Sequence, residues 1–396
     1  MQAVILAAGH GTRLWPLSEA RPKVMMQIGN KPILEHIISS LVENGITDIA
    51  IVVGYRRGLI QAYFGDGSDF GADLTYMEQK RLLGTAHALV TAKDFPKGDF
   101  LVLPGDNVIS PAVIRDLLKG GRPNSALLTR SSIPSKYGVV ELTDGRVDRI
   151  TEKPSSTDSC VISTGIFHFS LDVIPRLEAA VADGRMGLAD ALQPILHELM
   201  IRGIMTTGCW CDAVYPWDVI DMSSRFISLN GQRIEGRIEP GVSIKGPVNI
   251  GEGSRIRSGT QIEGPVIIGK GCDIGPNVAI SPVTSIGDNV TISPFSYISG
   301  SIIMSGSSIQ SHCHISRSLI DSNVRLGPHV SSPSATTMGR VKGELIPLND
   351  IGSIIGSNTV IGGSVSIQPG VVVGNGCRVS DGSRIRENIN DRSEVY

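Results

Sequence analysis

An isoleucine recurs at every sixth position of the sequence from Ile238 to Ile298, eleven times in succession. A six-residue period predicts one short strand and one turn per repeat, with the recurring aliphatic side chain pointing into the core of a narrow prism. Glycine is abundant, at 46 of 396 residues, and supplies the left-handed backbone angles that tight turns require. The pattern therefore predicts a hexapeptide-repeat, left-handed parallel β-helix with three repeats in each coil.

The repeat continues beyond Ile298 in two further registers. A polar, proline-containing stretch interrupts it and predicts an excursion loop over 327–351. If the flat sides of the prism are apolar enough, they associate about a threefold axis, so we expect a homotrimer or a multiple of three. The later repeat positions are Ile303, Ile309, Ile315, Ile320, Leu326, Ile355, Ile361, Ile367, Val373, Val379 and Ile385.

The first 225 residues have a different pattern, in which short apolar runs alternate with segments of helical period. Apolar residues at helical spacing extend from Ile33 to Val42 and stop before Gly45. This alternation predicts an α/β, Rossmann-like domain with a mixed, mainly parallel sheet covered by helices. Ligands of such sheets bind beyond the carboxyl ends of the strands. The runs that predict strands are Gln2–Leu6, Asp48–Val53, Leu74–Met77 and Phe100–Leu103.

The two patterns also predict where one domain ends and the next begins. We expect the α/β domain over 1–225, the end of a helical linker over 226–236 and the β-helix over 237–396. A helix over Trp217–Leu229, directly after Pro216, is expected to join the two domains.

Charge, hydropathy and cysteine spacing exclude several classes of protein. The chain has 36 Lys and Arg against 38 Asp and Glu, so it lacks the basic excess that attracts nucleic acid. No apolar run approaches the roughly 18 residues that cross a bilayer. The six cysteines form no CxxC pair, which favours reduced thiols. We expect a cytoplasmic protein that binds neither nucleic acid nor membrane.

The segment that follows the first predicted strand reads LAAGHGTRL, from Leu6 to Leu14. Its small residues let backbone N–H groups approach a polyphosphate. It is neither a dinucleotide fingerprint, because the third glycine is missing, nor a Walker A motif. Arg13 and Lys23 supply fixed positive charge, which stabilises the negative charge of a phosphoryl-type transition state.

This segment, continued by Trp15-Pro16-Leu17 and then by Arg21-Pro22-Lys23, resembles the signature of sugar-1-phosphate nucleotidylyltransferases. The resemblance implies that Arg13 and Lys23 grip a nucleoside triphosphate. An oxygen of the sugar 1-phosphate would then attack the α-phosphorus and expel pyrophosphate. The nucleotide-binding residues that it implies are Leu6, Ala7, Ala8, Gly9, Gly11, Thr12, Gln79, Gly84 and Thr85.

The base that is used is expected to depend on Gln79, five residues before Gly84. In the family a glutamine amide at this position pairs with a pyrimidine edge, so the resemblance implies UTP or dTTP. Ala8 stands where guanylyltransferases of the family have glycine, and it points the same way.

Two aspartates resemble the family's Mg²⁺ ligands. Asp106 follows the predicted strand that ends at Leu103, and Asp212 lies far along the chain, before Asp218, which is expected to cap the next helix. On the sugar side, the resemblance implies glycines for close approach, a carboxylate for the hydroxyls and a lysine for the 1-phosphate. These sugar-phosphate residues are Gly138, Glu152, Lys153, Thr164 and Gly165.

A nucleotidyltransferase domain followed by hexapeptide repeats resembles the bifunctional enzymes that also acetylate glucosamine 1-phosphate, the archaeal type in particular. Acetyl-CoA would then be a second substrate of the tail. Ser311 occupies the position where the family's catalytic histidine is expected, and the candidate bases are His312, His314 and His329, or none of them. On a β-strand, His312 would point away from the face of Ser311, unless a local bulge at the register slip restored its direction.

We therefore expect weak or absent acetyl transfer, and nucleotidylyl transfer that resides wholly in residues 1–225. Two alternatives stay open. The tail can be purely a trimerisation scaffold, or the chain can be a catalytically silent nucleotide-sugar sensor. The presence of Arg13, Lys23 and Asp106 argues against the sensor.

Overall fold

The computed structural model describes residues 1–227, 232–341 and 344–396. Part of the predicted linker, 228–231, and the pair 342–343 in the predicted excursion loop lie outside the described residues. The predicted domain boundaries stay predictions.

The described residues form two compact units, and each unit consists of three separate segments of the chain. Two short segments of the N-terminal part belong to the same unit as the C-terminal half. The first unit consists of Met1–His10, Pro22–Met25 and Ile33–Asp212, and the second of Gly11–Arg21, Met26–Pro32 and Ala213–Tyr396.

Helices and strands alternate up to Asp212, as the sequence predicts. The strands are β1 (Gln2–Ala7), β2 (Gln27–Ile28), β3 (Lys31–Pro32), β4 (Asp48–Val53), β5 (Asp73–Glu78), β6 (Phe100–Pro104), β7 (Asn107–Ile109), β8 (Ser125–Arg130), β9 (Gly138–Thr143), β10 (Arg146–Glu152), β11 (Val161–Phe169), β12 (Arg202–Met205) and β13 (Trp210–Asp212). The α-helices are α1 (Leu17–Ala20), α2 (Ile33–Val42), α3 (Arg57–Phe64), α4 (Thr85–Thr91), α5 (Pro111–Lys119), α6 (Val173–Ala182), α7 (Leu188–Leu192), α8 (Leu196–Leu199) and α9 (Asp218–Ile227). Short 3-10 helices span Thr12–Leu14, Lys23–Met25, Ser68–Phe70, Pro134–Lys136 and Gln193–Ile195.

The first unit contains a nine-stranded mixed sheet with the order β5-β4-β1-β6-β11-β8-β12-β10-β9. The four predicted strands are all present and pair in parallel, β5 with β4, β4 with β1 and β1 with β6. The rest of the sheet is largely antiparallel, because β9 and β10 form a hairpin and β11 runs back between β6 and β8. The predicted Rossmann-like fold with a mixed sheet is confirmed.

A small two-stranded sheet carries part of the candidate site. Strand β13 pairs antiparallel with β7, which follows β6 after a two-residue turn. The register places Asp212 opposite Asn107, and therefore next to Asp106.

Three parallel sheets of eight, nine and eight strands form the β-helix in the second unit. Each strand pairs with the equivalent strand of the next coil, so Ile250 lies opposite Ile268 and Ile286 opposite Ile303. The predicted aliphatic column is confirmed, because the repeat positions from Ile250 to Ile385 are buried together. The first repeat position, Ile238, differs from these buried positions because it lies in the terminal coil and is exposed.

The strands of this unit after Ala213 are short and regularly spaced. They are β14 (Arg233–Ile234), β15 (Arg237–Ile238), β16 (Ser243–Lys245), β17 (Val248–Ile250), β18 (Arg255–Ile256), β19 (Gln261–Glu263), β20 (Val266–Ile268), β21 (Asp273–Ile274), β22 (Ala279–Ile280), β23 (Thr284–Ile286), β24 (Thr291–Ile292), β25 (Tyr297–Ser299), β26 (Ile302–Ile303), β27 (Ser308–Ile309), β28 (His314–Ser316), β29 (Leu319–Ile320), β30 (Arg325–Leu326), β31 (Ser331–Ser332), β32 (Ala335–Val341), β33 (Glu344–Ile351), β34 (Ile354–Ile355), β35 (Val360–Ile361), β36 (Ser366–Ile367), β37 (Val372–Val373), β38 (Arg378–Val379), β39 (Arg384–Ile385) and β40 (Glu394–Val395).

The segment outside the β-helix is shorter than the predicted excursion loop over 327–351, and it forms a β-hairpin. Strand β31 keeps its place in the β-helix, and β32 and β33 pair antiparallel outside it. Ile320 pairs directly with Ile355, so the coils close over the insertion. The polar composition suggested a loop, but Thr336, Thr337 and Ile346 are β-branched residues that favour strands.

Helix α9 begins one residue later than predicted. The carboxylate of Asp218 accepts the N–H groups of Val214 at 2.9 Å and Tyr215 at 2.7 Å. Asp218 is therefore the first helical residue and reaches back to the preceding turn, rather than capping the helix from outside. The last two residues predicted for this helix, 228 and 229, lie outside the described residues.

The outward faces of the three sheets differ in composition. One face is apolar and buried, through Ile267, Ile302, Leu319, Ile354 and Val372. The other two carry mostly polar side chains, among them Arg255, Arg325, Arg378, Gln261, His314 and Arg384. No helix in the described part of the chain is long and apolar enough to cross a membrane.

Candidate active site

The centre of the candidate site is an ammonium group held between two carboxylates. Lys23 Nζ lies 2.6 Å from Asp106 Oδ2 and 3.0 Å from Asp212 Oδ1. Each residue comes from a different element: Lys23 starts a 3-10 helix, Asp106 lies in the β6–β7 turn and Asp212 ends β13. The pairing of β7 with β13 explains how residues so far apart in sequence meet.

The electrostatics of this cluster keep Lys23 charged. Burial alone would lower the pKa of the Lys23 ammonium, but the charges and hydrogen bonds of Asp106 and Asp212 outweigh it and raise the pKa well above its usual range. Lys23 is therefore a permanent cation at neutral pH.

The two carboxylates also suit a divalent cation. Their oxygens converge on a single point, since both lie within 3.0 Å of Lys23 Nζ. Mg²⁺ is commonly held by one or two carboxylates together with water and substrate phosphates, rather than by a complete protein cage. Consistent with this, no group of three or more potential ligands surrounds a common point among the described residues.

A cavity of about 340 Å³ opens beside the two aspartates in the first unit. It brings together all five residues predicted for the sugar phosphate, two of those predicted for the nucleotide and both predicted metal ligands. Those lining it are Leu6, Thr85, Asp106, Gly138, Glu152, Lys153, Thr164, Gly165 and Asp212.

The sugar side of the cavity is built on the β9–β10 hairpin. Gly138 and Glu152 lie opposite each other in the ladder, and a Cβ on Gly138 would lie 3.2 Å from Glu152 Oε2. Lys153 Nζ lies 3.5 Å from Glu152 Oε1, so the carboxylate and the ammonium are adjacent, as a sugar hydroxyl and its phosphate are. Both side chains are about half exposed and available to a ligand.

Strand β11 closes the other wall of the cavity. Gly165 has a φ of +75°, and a Cβ there would lie 2.7 Å from Pro104 Cγ, so only glycine fits. The hydroxyl of Thr164 donates to the Leu127 carbonyl at 2.8 Å. Thr164 therefore holds the strand by its side chain.

Gln79 follows β5 and is 4% exposed. Its Nε2 donates to the Gly84 carbonyl at 3.1 Å and lies 2.8 Å from His87 Nδ1. Gly84 has a φ of +150°, and a Cβ there would lie 2.3 Å from the Met186 carbonyl oxygen. The Gln79 amide is therefore fixed in one orientation by a turn that only glycine can form.

The remaining predicted nucleotide residues lie on the segment after β1. Ala7 ends that strand, Ala8 and Gly9 follow it, and a Cβ on Gly9 would have no neighbour within 4 Å among the described residues. Gly11 has a φ of +76° and precedes the 3-10 helix that carries Thr12 and an exposed Arg13. These last three residues belong to the second unit.

The nucleotidyl transferase family model matches residues 2–224. The chain belongs to this family. The motif between Leu6 and Lys23 thus identified the family correctly, and the chain is a nucleotidyltransferase. The GMPPB C-terminal domain model matches residues 262–342, and the bacterial transferase hexapeptide model of six repeats matches 352–387.

Relatives of this nucleotidyltransferase extend over both units. A protein named bifunctional protein GlmU from Methanococcus maripaludis is 36% identical over 100% of this chain and 97% of its own length. A glucose-1-phosphate thymidylyltransferase of Streptomyces antibioticus is 34% identical over 85% of this chain and 96% of its own. A solved Bacillus anthracis structure, described as a glucose-1-phosphate thymidylyltransferase with sucrose, has a TM-score of 0.54 and 26% identity, covering 59% of this chain and 98% of its own.

Two residues of this nucleotidyltransferase site were not singled out from the sequence. His87 contacts the Gln79 amide, and Trp210 donates its indole N–H to Asn107 Oδ1 at 3.2 Å, which fixes the β7–β13 pair. The sequence position of His87 could have identified it, because His87 lies one helical turn after Gly84.

The histidines of the tail are placed differently from the prediction. His312 and His329 lie in turns with φ values of +60° and +59°, not on strands, and their rings stack at 4.8 Å. His314 is on β28, and its ring contacts Tyr297 at 5.2 Å. His312 was predicted to point away from Ser311 as a residue of a strand, and this prediction was wrong because His312 lies in a turn. The ring contacts observed for the three histidines are aromatic: His312 with Phe295 and His329, and His314 with Tyr297.

Proposed function

We propose that this nucleotidyltransferase joins UTP or dTTP to a hexose or N-acetylhexosamine 1-phosphate, forming a UDP- or dTDP-sugar and pyrophosphate. One observation carries the proposal: the Lys23, Asp106 and Asp212 cluster adjoins a cavity whose far wall presents Gly138, Glu152 and Lys153. A phosphate-gripping end and a sugar-recognising end are thus parts of one site.

The chemistry follows from the charges. An anionic oxygen of the sugar 1-phosphate attacks the α-phosphorus of the nucleotide, the bond from the α-phosphorus to the bridging oxygen breaks, and pyrophosphate leaves with that electron pair. No proton needs to be removed from the attacking oxygen. Lys23 remains protonated and counters the charge on the phosphates, and Arg13 is proposed to do the same on the triphosphate. Asp106 and Asp212 would hold Mg²⁺, which when bound neutralises and orients the phosphates.

The choice of a pyrimidine rests on Gln79. Its amide is buried and held by Gly84 and His87, so it presents a fixed edge rather than a flexible one. A buried polar edge discriminates strongly against a base that leaves it unpaired. One methyl group separates uracil from thymine, and such a group is worth only about 1–3 kcal/mol in a pocket.

Acetylation of glucosamine 1-phosphate by acetyl-CoA is a second candidate activity. Full-length similarity to proteins named bifunctional favours it. Ser311 at the expected base position opposes it, and His312, His314 and His329 are the candidate replacements. Free-thiol release from acetyl-CoA, compared between the wild type and H312A, H314A and H329A, decides whether this activity exists and which imidazole serves it.

A trimeric, cytoplasmic enzyme is part of the same proposal. Light scattering at micromolar concentration measures the trimer, or a multiple of three, directly, and a monomeric mass would contradict it.

The function itself is tested by pyrophosphate release across a panel of sugar 1-phosphates and nucleoside triphosphates. We expect release with UTP or dTTP and at least one sugar 1-phosphate, and its loss in K23A. The matched control is K93A, which removes an exposed lysine that pairs with Glu178 at 2.6 Å. Absence of release with every pair of substrates would refute the proposal.

A further inference from the structure

The segment that carries Arg13 is packed with the β-helix. We call this segment, Gly11–Arg21, the Arg13 loop; it belongs to the second compact unit, together with Ala213–Tyr396. Its apolar residues Leu14 and Leu17 are buried. The loop leaves β1 after His10 and rejoins the first unit at Pro22, one residue before Lys23.

A buried ion pair fixes the end of the loop. Arg21 Nη2 donates to Asp321 Oδ1 at 2.5 Å and to Ser322 Oγ at 3.1 Å. Asp321 directly follows β29 and is completely buried. Its second oxygen, Oδ2, has no hydrogen-bond partner among the described residues, so Arg21 is its countercharge.

Two further contacts fix the middle of the loop. Asn375 donates its side-chain amide to the Pro16 carbonyl at 2.9 Å, and Trp15 donates its indole N–H to Asp391 Oδ2 at 3.2 Å. The partners of the loop therefore come from several coils of the β-helix.

The second N-terminal segment of this unit is fixed in a similar way. Gly29 and Asn30, both with positive φ, form the turn between β2 and β3. Asn30 donates to the Ile286 carbonyl and accepts the Ser285 hydroxyl, both at 2.6 Å. The chain on either side of Lys23 is thus held by the β-helix.

Burial of the Arg21 pair has a physical consequence. A buried ion pair adds little net stability compared with an apolar pair, because desolvation offsets the attraction, but removing one partner leaves an uncompensated charge. Such a pair is better suited to fixing one arrangement. Precision matters here, because displacing a catalytic group by about 1 Å can cost roughly 10²-fold in rate.

We infer that Arg21 is a positioning residue, which binds Asp321 of the β-helix and so holds the loop that carries Arg13. The inference rests on the proposed function of Arg13. It differs from the expectation that nucleotidylyl transfer resides wholly in residues 1–225, which stays a prediction, because Asp321 lies beyond those residues.

The test uses full-length R21A, R21K and R21A/D321N. The double variant removes both the tether and the orphaned charge, so it separates loss of position from loss of stability. R257A is the control, since it breaks the Arg257–Asp273 pair, which is on the β-helix and makes no contact with the loop in the described structure. The readouts are kcat and the nucleotide KM from pyrophosphate release, thermal unfolding, and amide hydrogen exchange of peptides over 11–21.

We expect kcat/KM for the nucleotide to fall about 10- to 100-fold in R21A and in the double variant, with faster exchange over 11–21 in both. R21K keeps the charge and should recover part of the loss, and R257A should match the wild type. The double variant should regain thermal stability without regaining kcat/KM.

Wild-type kcat/KM in the double variant, or unchanged exchange over 11–21, would overturn the inference. A wild-type protein that releases no pyrophosphate would refute the proposed function instead. The exchange measurement would then still decide whether Arg21 holds the loop.

Discussion

Arg21 and Lys23 are two residues apart, and both are paired with aspartate, but their surroundings differ. The partners of Lys23 line a cavity and keep exposed fractions of 37% for Asp106 and 17% for Asp212. The partner of Arg21 is Asp321, which is 0% exposed. Charges that border a cavity can act on a ligand, whereas a fully buried carboxylate such as Asp321 acts on the position of the chain that pairs with it. Neighbouring cations of one motif thus have different tasks, one in chemistry and one in placement.

Disrupting the β-helix core tests this distinction with the largest expected effect. Ile268 is buried in the aliphatic column, and I268D places an unpaired carboxylate there, at a cost of several kcal/mol. We expect the coil to unfold and pyrophosphate release to be lost with it, although Ile268 is outside the first unit. Circular dichroism and pyrophosphate release measure both effects, with I268V as a control that should cost only about 1 kcal/mol. Full activity in an I268D protein with an unfolded tail would show that the Arg13 loop needs no support.

Substitutions in the Lys23 cluster should lower the reaction rate without unfolding the protein. D106N removes one of the two carboxylates beside Lys23, and we expect kcat to fall by at least about 10²-fold, because charge stabilisation at the reacting phosphate is lost. Chelation by EDTA should abolish transfer without unfolding the protein. Stopped pyrophosphate assays and thermal scans test both, and undiminished turnover in excess EDTA would remove the metal from the proposal.

Nucleotide preference distinguishes the role proposed for Gln79 from that of Arg21. Gln79 is expected to favour UTP and dTTP over GTP and ATP by at least about tenfold in kcat/KM. Q79A should reduce that ratio, whereas R21A should weaken all nucleotides alike and leave the ratio unchanged. Competition between nucleotides in one reaction measures the ratio directly. A preference for GTP or ATP would invalidate the role given to Gln79.

Asp218 provides a structural comparison with Asp106. D218N weakens the two backbone hydrogen bonds that close the turn before α9, and we expect a loss of about 1 kcal/mol in unfolding free energy with an almost unchanged rate. Denaturant titration measures the first quantity and pyrophosphate release the second. Equal losses of rate in D106N and D218N would mean that the wrong aspartate was assigned to the metal.

The smallest expected effect is an acid-dependent loss of stability caused by His168. Burial lowers the pKa of His168 and outweighs the opposing effects of the Asp99 charge and of a backbone hydrogen bond with Arg122. The ordinary pKa of a histidine is 6.5, and below that pH the unfolded chain binds a proton more readily than the folded chain. The free energy of unfolding therefore decreases as the pH is lowered. H168Q should flatten this slope in denaturant titrations from pH 7 to pH 5, and the exposed H197Q should not. The same slope in H168Q as in the wild type would assign the proton to another group.

The parts of the molecule that follow a local period were predictable from the sequence. Six-residue spacing of isoleucine predicted the β-helix, and apolar residues from Ile33 to Val42 predicted α2 with its observed bounds. The hairpin β32–β33 was missed, because its composition resembles a loop and its pairing depends on a long-range register. His312 was misplaced for the same reason: a slip in the repeat shifts a residue from strand to turn.

Some residues of the candidate site could also be predicted from the sequence, and others could not. Asp106, Lys23 and Asp212 were recognisable because each stands in a motif, and the structure brings them within hydrogen-bond distance. The contact of Arg21 with Asp321 spans 300 residues and leaves no periodic or compositional signal. Burial of Asp321 is decided by the stacking of the coils, which a single sequence does not display.

The contact between Trp15 and Asp391 has a consequence for synthesis of the protein. These residues are 376 positions apart. A ribosome adds about 5–20 residues per second, so the Arg13 loop waits on the order of 20–75 seconds for its last partner. The nine-stranded sheet can form before that time ends, because its last strand, β12, ends at Met205. A nascent chain can therefore contain a folded sheet before Asp391 is available to fix the Arg13 loop through Trp15.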